Sequence, residues 1–325
     1  MDAVLLAGGY GTRLRPLTYT RPKPLLPVAG RPMVEWVLDR LPEEVDRVIA
    51  AVNWKAQDLE AYFAGREGRI DFDVVREEEP LGTAGAVLNC ADALSSARFF
   101  VLNADIVSDM DLGAMVAQHR ETGGSGTIAL HEVEPEEVRN YGVVAQDADD
   151  ARRIRRFVEK PQDPADAPSR LINAGAYLLE KGVLDLIPRG RLVSMEKEVF
   201  PQLLEPGLHG WTHEGLWVDV GDPTRLREAS RGLDKAYVHG PGARIGEGVS
   251  LVDTVAGRDL RVGDGARLER CVVGDGVTVE ADSFLVDCVV GDGEQVGGAL
   301  SGERVWSRPV PEGYPRKQVG NALAR

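Results

Sequence analysis

Arg13, Arg15, Arg21, Lys23 and Arg31 follow Gly8, Gly9 and Gly11 in the stretch LLAGGYGTRLRPLTYTRPKPLLPVAGRPM, interleaved with Pro16, Pro22, Pro24, Pro27 and Pro32. Glycines after an apolar run let backbone N–H groups approach a ligand, and cations beside such groups suit a polyanion such as a triphosphate. The chain as a whole carries a net charge of −14, so this local positive charge stands out. A dinucleotide fingerprint would need a third glycine near Leu14, and a P-loop would need Gly-Lys-Ser/Thr after its spacer; neither is present. Prolines cannot continue a helix and remove ladder donors, so the segment is predicted to be a rigid, extended loop that presents cations. Arg15 and Arg31 are expected only to solvate the surface.

The elements that position this segment read as an α/β layer. Apolar runs DAVLLA, RVIAAV, FDVV, RFFVLNAD and GTIALH alternate with the amphipathic patterns PMVEWVLDRL and QDLEAYFA. That alternation predicts a Rossmann-like, mixed but mostly parallel sheet with helices on both faces. Ligands then belong at the carboxyl ends of the strands. Two polar junctions fall there, Gly8 to Arg13 and Asn103 to Asp105.

The texture changes near Gly232. Leu251 to Gly257, Leu268 to Gly274 and Leu285 to Gly291 align without gaps, and Ile245, Val262, Val279 and Val296 repeat at the same offset. An aliphatic residue about every six positions, with glycine after many of them, marks a short left-handed parallel β-helix of hexapeptide repeats with about three coils. Cys271 and Cys288 share a phase with Thr254 and should stack as a ladder of small side chains. The expected organisation is a catalytic domain over residues 1–232, the β-helix over 240–306 and a C-terminal tail over 307–325.

Composition narrows the class. Three cysteines without a C-x-x-C pair argue against a disulfide framework and suit a reducing compartment. The first residues lack a basic n-region and a cleavage site, and no apolar run reaches the roughly 18 residues that span a bilayer. A cytoplasmic protein with no membrane partner is expected. The acidic balance, with 31 Arg and 7 Lys against 52 Asp plus Glu, makes nucleic acid an unsuitable partner.

The run G-G-x-G-T-R-L-R-P-L-T followed by P-K-P-L-L-P-V-x-G-R-P-M resembles the signature of the sugar-phosphate nucleotidyltransferases. The resemblance spans Met1 to about Arg231. It implies a Mg²⁺-dependent transfer of a nucleoside monophosphate from a nucleoside triphosphate to a sugar 1-phosphate, with release of pyrophosphate. It also implies nucleotide contacts from Leu6, Ala7, Gly8, Gly9, Gly11 and Thr12, and from Leu81, Gly82 and Thr83 in EPLGTAGAV. LNAD resembles the metal-binding strand end, with Asp105 as one ligand, although many relatives have glycine at Ala104; WVDVGDP supplies Asp219 as the other. FVEKP and INAG resemble sugar-binding elements, which gives Glu159, Asn173 and the backbone of Gly142 to the sugar and Lys160 to its phosphate. Arg13 and Lys23 would stabilise the α-phosphate and the leaving pyrophosphate.

VSMEKEVFPQLLE, Val193 to Glu205, is similar to the mannose-1-phosphate guanylyltransferase branch, in which Glu196 would contact the sugar. GTP and mannose 1-phosphate, giving GDP-mannose, are therefore the expected substrates. Glucose-1-phosphate uridylyl- or thymidylyltransferases, and a non-catalytic sugar-nucleotide-sensing relative, are the alternatives. The tail has no histidine after His239, before the first coil, so it is read as a packing or homo-oligomer-forming module, with an allosteric role left open, rather than as an acyltransferase.

Overall fold

The computed structural model describes residues 1–315, and the chain forms two compact units. Met1–Gly9 and Val37–Trp217 make the first; Tyr10–Trp36 and the chain from Val218 onward make the second. Part of the expected C-terminal tail, residues 316–325, lies outside the described residues.

The first unit is built on a nine-stranded sheet. Its strands are β1 (Asp2–Leu6), β2 (Arg47–Val52), β3 (Asp71–Arg76), β4 (Arg98–Asn103), β5 (Gly126–Glu132), β6 (Gly142–Gln146), β7 (Ile154–Glu159), β8 (Leu171–Glu180) and β9 (Leu208–His213). The order is β7-β6-β8-β4-β1-β2-β3, with β5 also on β8 and β9 outside β5. β1 pairs in parallel with β2 and β4, and β2 with β3. β8 runs antiparallel to β4, β5 and β6. The sheet is the expected mixed one. Strands β6 to β9 are not among the runs read from the sequence, and in β7 the exposed Arg155 and Arg156 of an edge strand break the apolar pattern.

Central β1 and β4 are continuous apolar runs because both of their faces are covered. Val4, Phe99 and Val101 pack with Tyr177, Phe200 and Leu203 in one core. Edge strand β3 is only half-buried and carries Asp71 and Asp73, a charge pattern that discourages pairing with another chain.

In the second unit, twelve short strands form three sheets of four parallel strands each, so four coils stack where about three were expected. Ile245, Val262, Val279 and Val296 are in register on one face. On the other two faces the fourth coil is shorter, pairing Phe284 with Ala299 and Val289 with Arg304. The inward aliphatic ladder, with Leu268, Leu285, Val273 and Val290, fills the coil interior. Thr254, Cys271 and Cys288 stack as expected: the Cys271 N–H donates to Thr254 Oγ1 at 3.3 Å, and both thiols are buried and free. Corner residues Asp253, Arg270 and Asp287 share left-handed backbone, with φ of 46°, 51° and 54°.

The proline segment is not extended. It makes a 3₁₀ turn at Thr12–Leu14, a helical turn at Leu17–Thr20, another 3₁₀ turn at Lys23–Leu25 and a hairpin of Pro27–Val28 with Arg31–Pro32. Pro16 and Pro22 precede turns and Pro24 lies in the first turn of one, positions where the missing N–H is not needed. The prolines therefore start turns rather than stretch the chain.

Candidate active site

In the first unit the carboxyl ends of the parallel strands bring several of the candidate polar residues together. β1 leads to Gly8, β2 to Asn53, β3 to Glu77, and β4 to the Ala104–Asp105 turn, which is tied back by the Ala104 N–H donating to the Leu6 carbonyl at 3.1 Å. Glu77 Oε2 accepts from the Leu81 N–H at 3.3 Å, and its other oxygen would lie 3.2 Å from a Cβ at Gly8. Asn53 Nδ2 donates to the Glu77 carbonyl at 3.1 Å. Burial raises the pKa of Glu77, opposed by the Leu81 N–H. Neighbouring Cys90 is pushed up to about 12, chiefly by burial and then by Glu77.

The loop Leu81–Thr83 opens helix Gly82–Asn89, which has no side-chain cap. Its first N–H groups are satisfied by one carbonyl: Ala84 and Gly85 donate to Val193 at 3.0 and 3.3 Å, and the Val193 N–H donates to Leu81. Gly82 has φ +76°, and a Cβ there would lie 2.5 Å from the Val193 oxygen. The glycine thus accommodates the Val193 strand of chain. Thr83 is likewise committed inside the protein, donating to Glu196 Oε2 at 2.8 Å and accepting from the Met195 N–H at 2.8 Å. Ser194 Oγ donates to the same Glu196 oxygen at 2.7 Å. Glu196 sits on a π-helical turn, Met195–Val199, that runs into helix Phe200–Gly207. The loop after β3 and the MEKEV turn are therefore one hydrogen-bonded assembly.

On the other side lie Gly142, Glu159, Asn173 and Lys160. A Cβ at Gly142 would lie 2.5 Å from the Phe157 ring and 2.8 Å from Glu159 Oε2. That Glu159 oxygen is buried without a hydrogen-bond partner among the described residues. Burial first, and then repulsion from Glu196, raises the Glu159 pKa, with Lys160 opposing. Lys160 has φ +49°, its N–H donates to the Tyr141 carbonyl, and its exposed ammonium is 3.7 Å from Glu159 Oε1. Asn173 Nδ2 donates to the Tyr177 hydroxyl at 2.9 Å, and Asn173 Oδ1 accepts from the Gly175 N–H at 2.9 Å. Burial raises the Tyr177 pKa well above its ordinary value, and the charges of Glu196, Glu159 and Asp105 add to it. At Gly175, with φ +74°, a Cβ would lie 2.7 Å from Asn103 Nδ2, which brings INAG against LNAD.

The second unit holds Gly11, Thr12, Arg13, Lys23 and Asp219. Gly11, at φ +63°, is the left-handed residue before the Thr12–Leu14 turn, and a Cβ there would lie 2.7 Å from Thr18 Cγ2 and 3.3 Å from Lys23 Cβ. Exposed Arg13 lies against Gly221, where a Cβ would be 2.5 Å from its Nη2; the Gly221 N–H donates to the Asp219 carbonyl at 2.8 Å. Asp222 then caps helix Pro223–Leu233 by accepting from Thr224 and Arg225.

Of the other cations of the segment, Arg15 and Arg21 are not surface charges, whereas the Arg31 side chain stays 43% exposed, as expected. Arg15 is 6% exposed, with its guanidinium 4.7 Å from the centre of the Tyr314 ring and Nη2 donating to the Pro315 carbonyl at 2.6 Å. Arg31 stacks on Trp36 at 4.4 Å and lies 3.8 Å from Glu35. Arg21 pairs with Asp275 at 2.9 Å and Asp292 at 2.7 Å rather than remaining available for a ligand. Burial works against these charges, yet Arg21 and the Arg258 N–H hold the Asp275 carboxyl below its usual range.

Sequence reasoning missed Glu77, Tyr177 and Ser194. Glu77 heads the run Glu77-Glu78-Glu79, in which nothing local distinguishes one acid from the next; its place directly after a parallel strand was the available signal.

Among the described residues no group of three or more His, Cys, Asp or Glu forms a metal cage. Asp105 and Asp219 are each half-buried carboxylates. One or two carboxylates, with phosphate and water oxygens completing the shell, is the pattern Mg²⁺ takes, so the donor chemistry fits that ion.

The sequence pattern of the nucleotidyl transferase family matches residues 2–236. The chain is 38% identical over 257 residues to a mannose-1-phosphate guanylyltransferase of Mycobacterium tuberculosis, a match covering 78% of this chain and 70% of that one. It is 41% identical over 231 residues to a mannose-1-phosphate guanyltransferase of Candida albicans, covering 69% of this chain and 62% of that one. The chain thus matches only part of the length of these relatives. A crystal structure of UDP-glucose pyrophosphorylase complexed with UDP-glucose shares the fold, with a TM-score of 0.65 at 24% identity, covering 72% of this chain and 98% of that one. A family pattern running through both the glycine loop and the strand-end acids, with relatives of this identity, places the chain in the nucleotidyl transferase family.

Proposed function

We propose that this protein transfers GMP from GTP to mannose 1-phosphate, forming GDP-mannose and pyrophosphate, in the cytoplasm. The observation that carries the sugar side is the buried Glu159 Oε2, unpartnered among the described residues. A buried carboxylate oxygen without a donor is costly, and a sugar hydroxyl is the donor that would satisfy it. For the base, Glu77 puts an acceptor-only group beside the Leu81 loop. Guanine offers two adjacent donors, N1–H and the N2 amino group, which match a carboxylate; uracil and thymine offer one. The relatives named as guanylyltransferases support the same choice.

In the transfer, an oxygen of the sugar phosphate attacks the α-phosphorus. A new P–O bond forms, the α–β bridging bond breaks, and pyrophosphate leaves with both electrons. That oxygen is already ionised near neutral pH, so no side chain has to take a proton. The difficulty is repulsion between two polyanions. Arg13 and Lys23 would hold the α-phosphate and the leaving pyrophosphate, and Lys160 the phosphate of the sugar. Gly8, Gly9, Gly11 and Thr12 would let the backbone approach the triphosphate, and Asn173, Glu196 and Gly142 would orient the sugar. Asp105 and Asp219 would hold Mg²⁺, which when bound neutralises phosphate charge.

The transfer domain is taken as residues 1–232 and the β-helix module as 240–306. Self-association through exposed coil faces, where Phe284 and Val252 are 43% and 47% exposed, completes the proposal. Pyrophosphate release over a grid of five nucleoside triphosphates against several sugar 1-phosphates tests the reaction. GTP with mannose 1-phosphate should lead; no release in any combination with Mg²⁺ present would sink it.

A further inference from the structure

The segment that bears Arg13 and Lys23 is part of the same compact unit as the β-helix, although it follows directly on β1. Its contacts explain why. Arg21 Nη2 donates to Asp275 Oδ2 at 2.9 Å and to Asp292 Oδ2 at 2.7 Å, and Thr20 Oγ1 donates to the same Asp292 oxygen at 2.5 Å. These aspartates belong to the Gly-Asp-Gly corners of successive coils. Each is itself fixed by the coil backbone: Asp275 Oδ1 accepts from the Arg258 N–H at 2.9 Å, and Asp292 Oδ1 accepts from the Asp275 N–H at 2.8 Å.

A second anchor lies after the last coil. The Tyr314 hydroxyl lies 2.8 Å from Thr18 Oγ1 and 2.8 Å from the Tyr10 carbonyl, and Tyr19 packs edge-on against its ring at 5.0 Å. Arg304 donates to the Arg15 carbonyl. Thr18 in turn donates to the Gly11 carbonyl at 3.1 Å and packs where a Gly11 side chain would be. The anchored residues thus bracket both cations, Gly11 and Thr18 around Arg13, and Arg21 just before Lys23.

We propose that the β-helix is a positioning device for phosphate transfer, in which Asp275, Asp292 and Tyr314 are positioning residues that hold the strap Tyr10–Trp36 and so aim Arg13 and Lys23. The inference rests on the reading of those two cations as phosphate-holding groups. Charge-assisted hydrogen bonds to carboxylates fixed at their other oxygen set direction as well as attraction. A misplacement of about 1 Å in such a catalytic array lowers turnover by up to about 100-fold.

The test uses the full chain and compares Asp275→Asn with Asp292→Asn together, Asp292→Glu, Tyr314→Phe, Arg13→Ala and Lys23→Ala. The double Asn variant should lose about 10- to 100-fold in kcat with the KM for sugar phosphate and the thermal midpoint near wild type. Amide exchange should accelerate in peptides from Tyr10–Trp36 and stay unchanged in β1, β2 and β4. Asp292→Glu, which keeps a carboxylate, should restore most of the turnover. Wild-type kcat in the double variant overturns the inference, whatever the exchange shows. If that variant does not fold, Tyr314→Phe decides: faster exchange in the strap with unchanged kcat overturns the inference, and a reduced kcat supports it. Normal turnover in Arg13→Ala and Lys23→Ala would instead remove the phosphate reading; inactive cation variants beside a fully active double variant would remove only the positioning role.

Discussion

Glu159 and Gly142 illustrate how single residues divide between shape and chemistry. Gly142 is small because the Phe157 ring and the Glu159 carboxylate occupy its side-chain space, and the same Glu159 Oε2 is buried without a partner among the described residues. Glu159→Gln keeps the volume and removes the charge. It should raise the KM for the sugar phosphate about 10-fold, the scale of one hydrogen bond to a charged group, and leave the KM for the triphosphate unchanged. An unaltered sugar KM in steady-state assays would take Glu159 out of the sugar site. Two loop glycines separate the same way. Gly82→Ala meets the Val193 carbonyl at positive φ and should cost about 1–3 kcal/mol in urea unfolding. At Gly9 no described residue lies within 4 Å of a Cβ, so Gly9→Ala should leave the unfolding midpoint in place and raise only the triphosphate KM. A shifted midpoint for Gly9→Ala would mean that this glycine serves the fold.

At the scale of elements, WVDVGDP combines Asp219, the proposed metal ligand, with a helix start. Asp222 accepts two N–H groups of the first turn and Pro223 fills the position where no donor is needed. Asp222→Ala should therefore lower stability by about 1 kcal/mol, read as a urea midpoint. The loss should be much smaller in Asp222→Ser, which retains a cap; equal losses would show that the carboxylate acts through charge instead. The β-helix coils are likewise built by local rules, aliphatic residues facing inward and Gly or Asp at left-handed corners. Those rules are visible as a repeat. What the aspartates of the corners additionally hold is not a local matter.

For the whole molecule, pH sensitivity follows from histidines packed in the first unit. Burial lowers the pKa of His119, His131 and His209 below the ordinary 6.5, more than Glu180, the His213 carbonyl and Asp150 raise them. An unfolded chain then binds protons that the folded chain refuses between the two pKa values. Stability is fully present above about pH 6.5 and falls as the pH drops below it. Urea midpoints at pH 7.5 and 5.5 should show this decline, and His119→Gln should reduce it. A midpoint that rises on acidification would contradict it.

Much of the protein was legible in its sequence because the determinants are local. Alternating apolar runs specified β1 to β5 and the aliphatic period specified the coils in register, while glycine, cation and acid types at strand ends are what the proposed polyphosphate site rests on. The tertiary structure decided which like residue does which task. Arg13 and Arg21 look alike in the sequence, but Arg21 meets Asp292 across 271 positions, and Arg15 is buried on Tyr314. Glu77 differs from Glu78 and Glu79 by following directly on β3 and accepting from the Leu81 N–H. A side chain's charge and size are properties of its own position, whereas its partners are set by contacts between distant segments that form only when the chain packs.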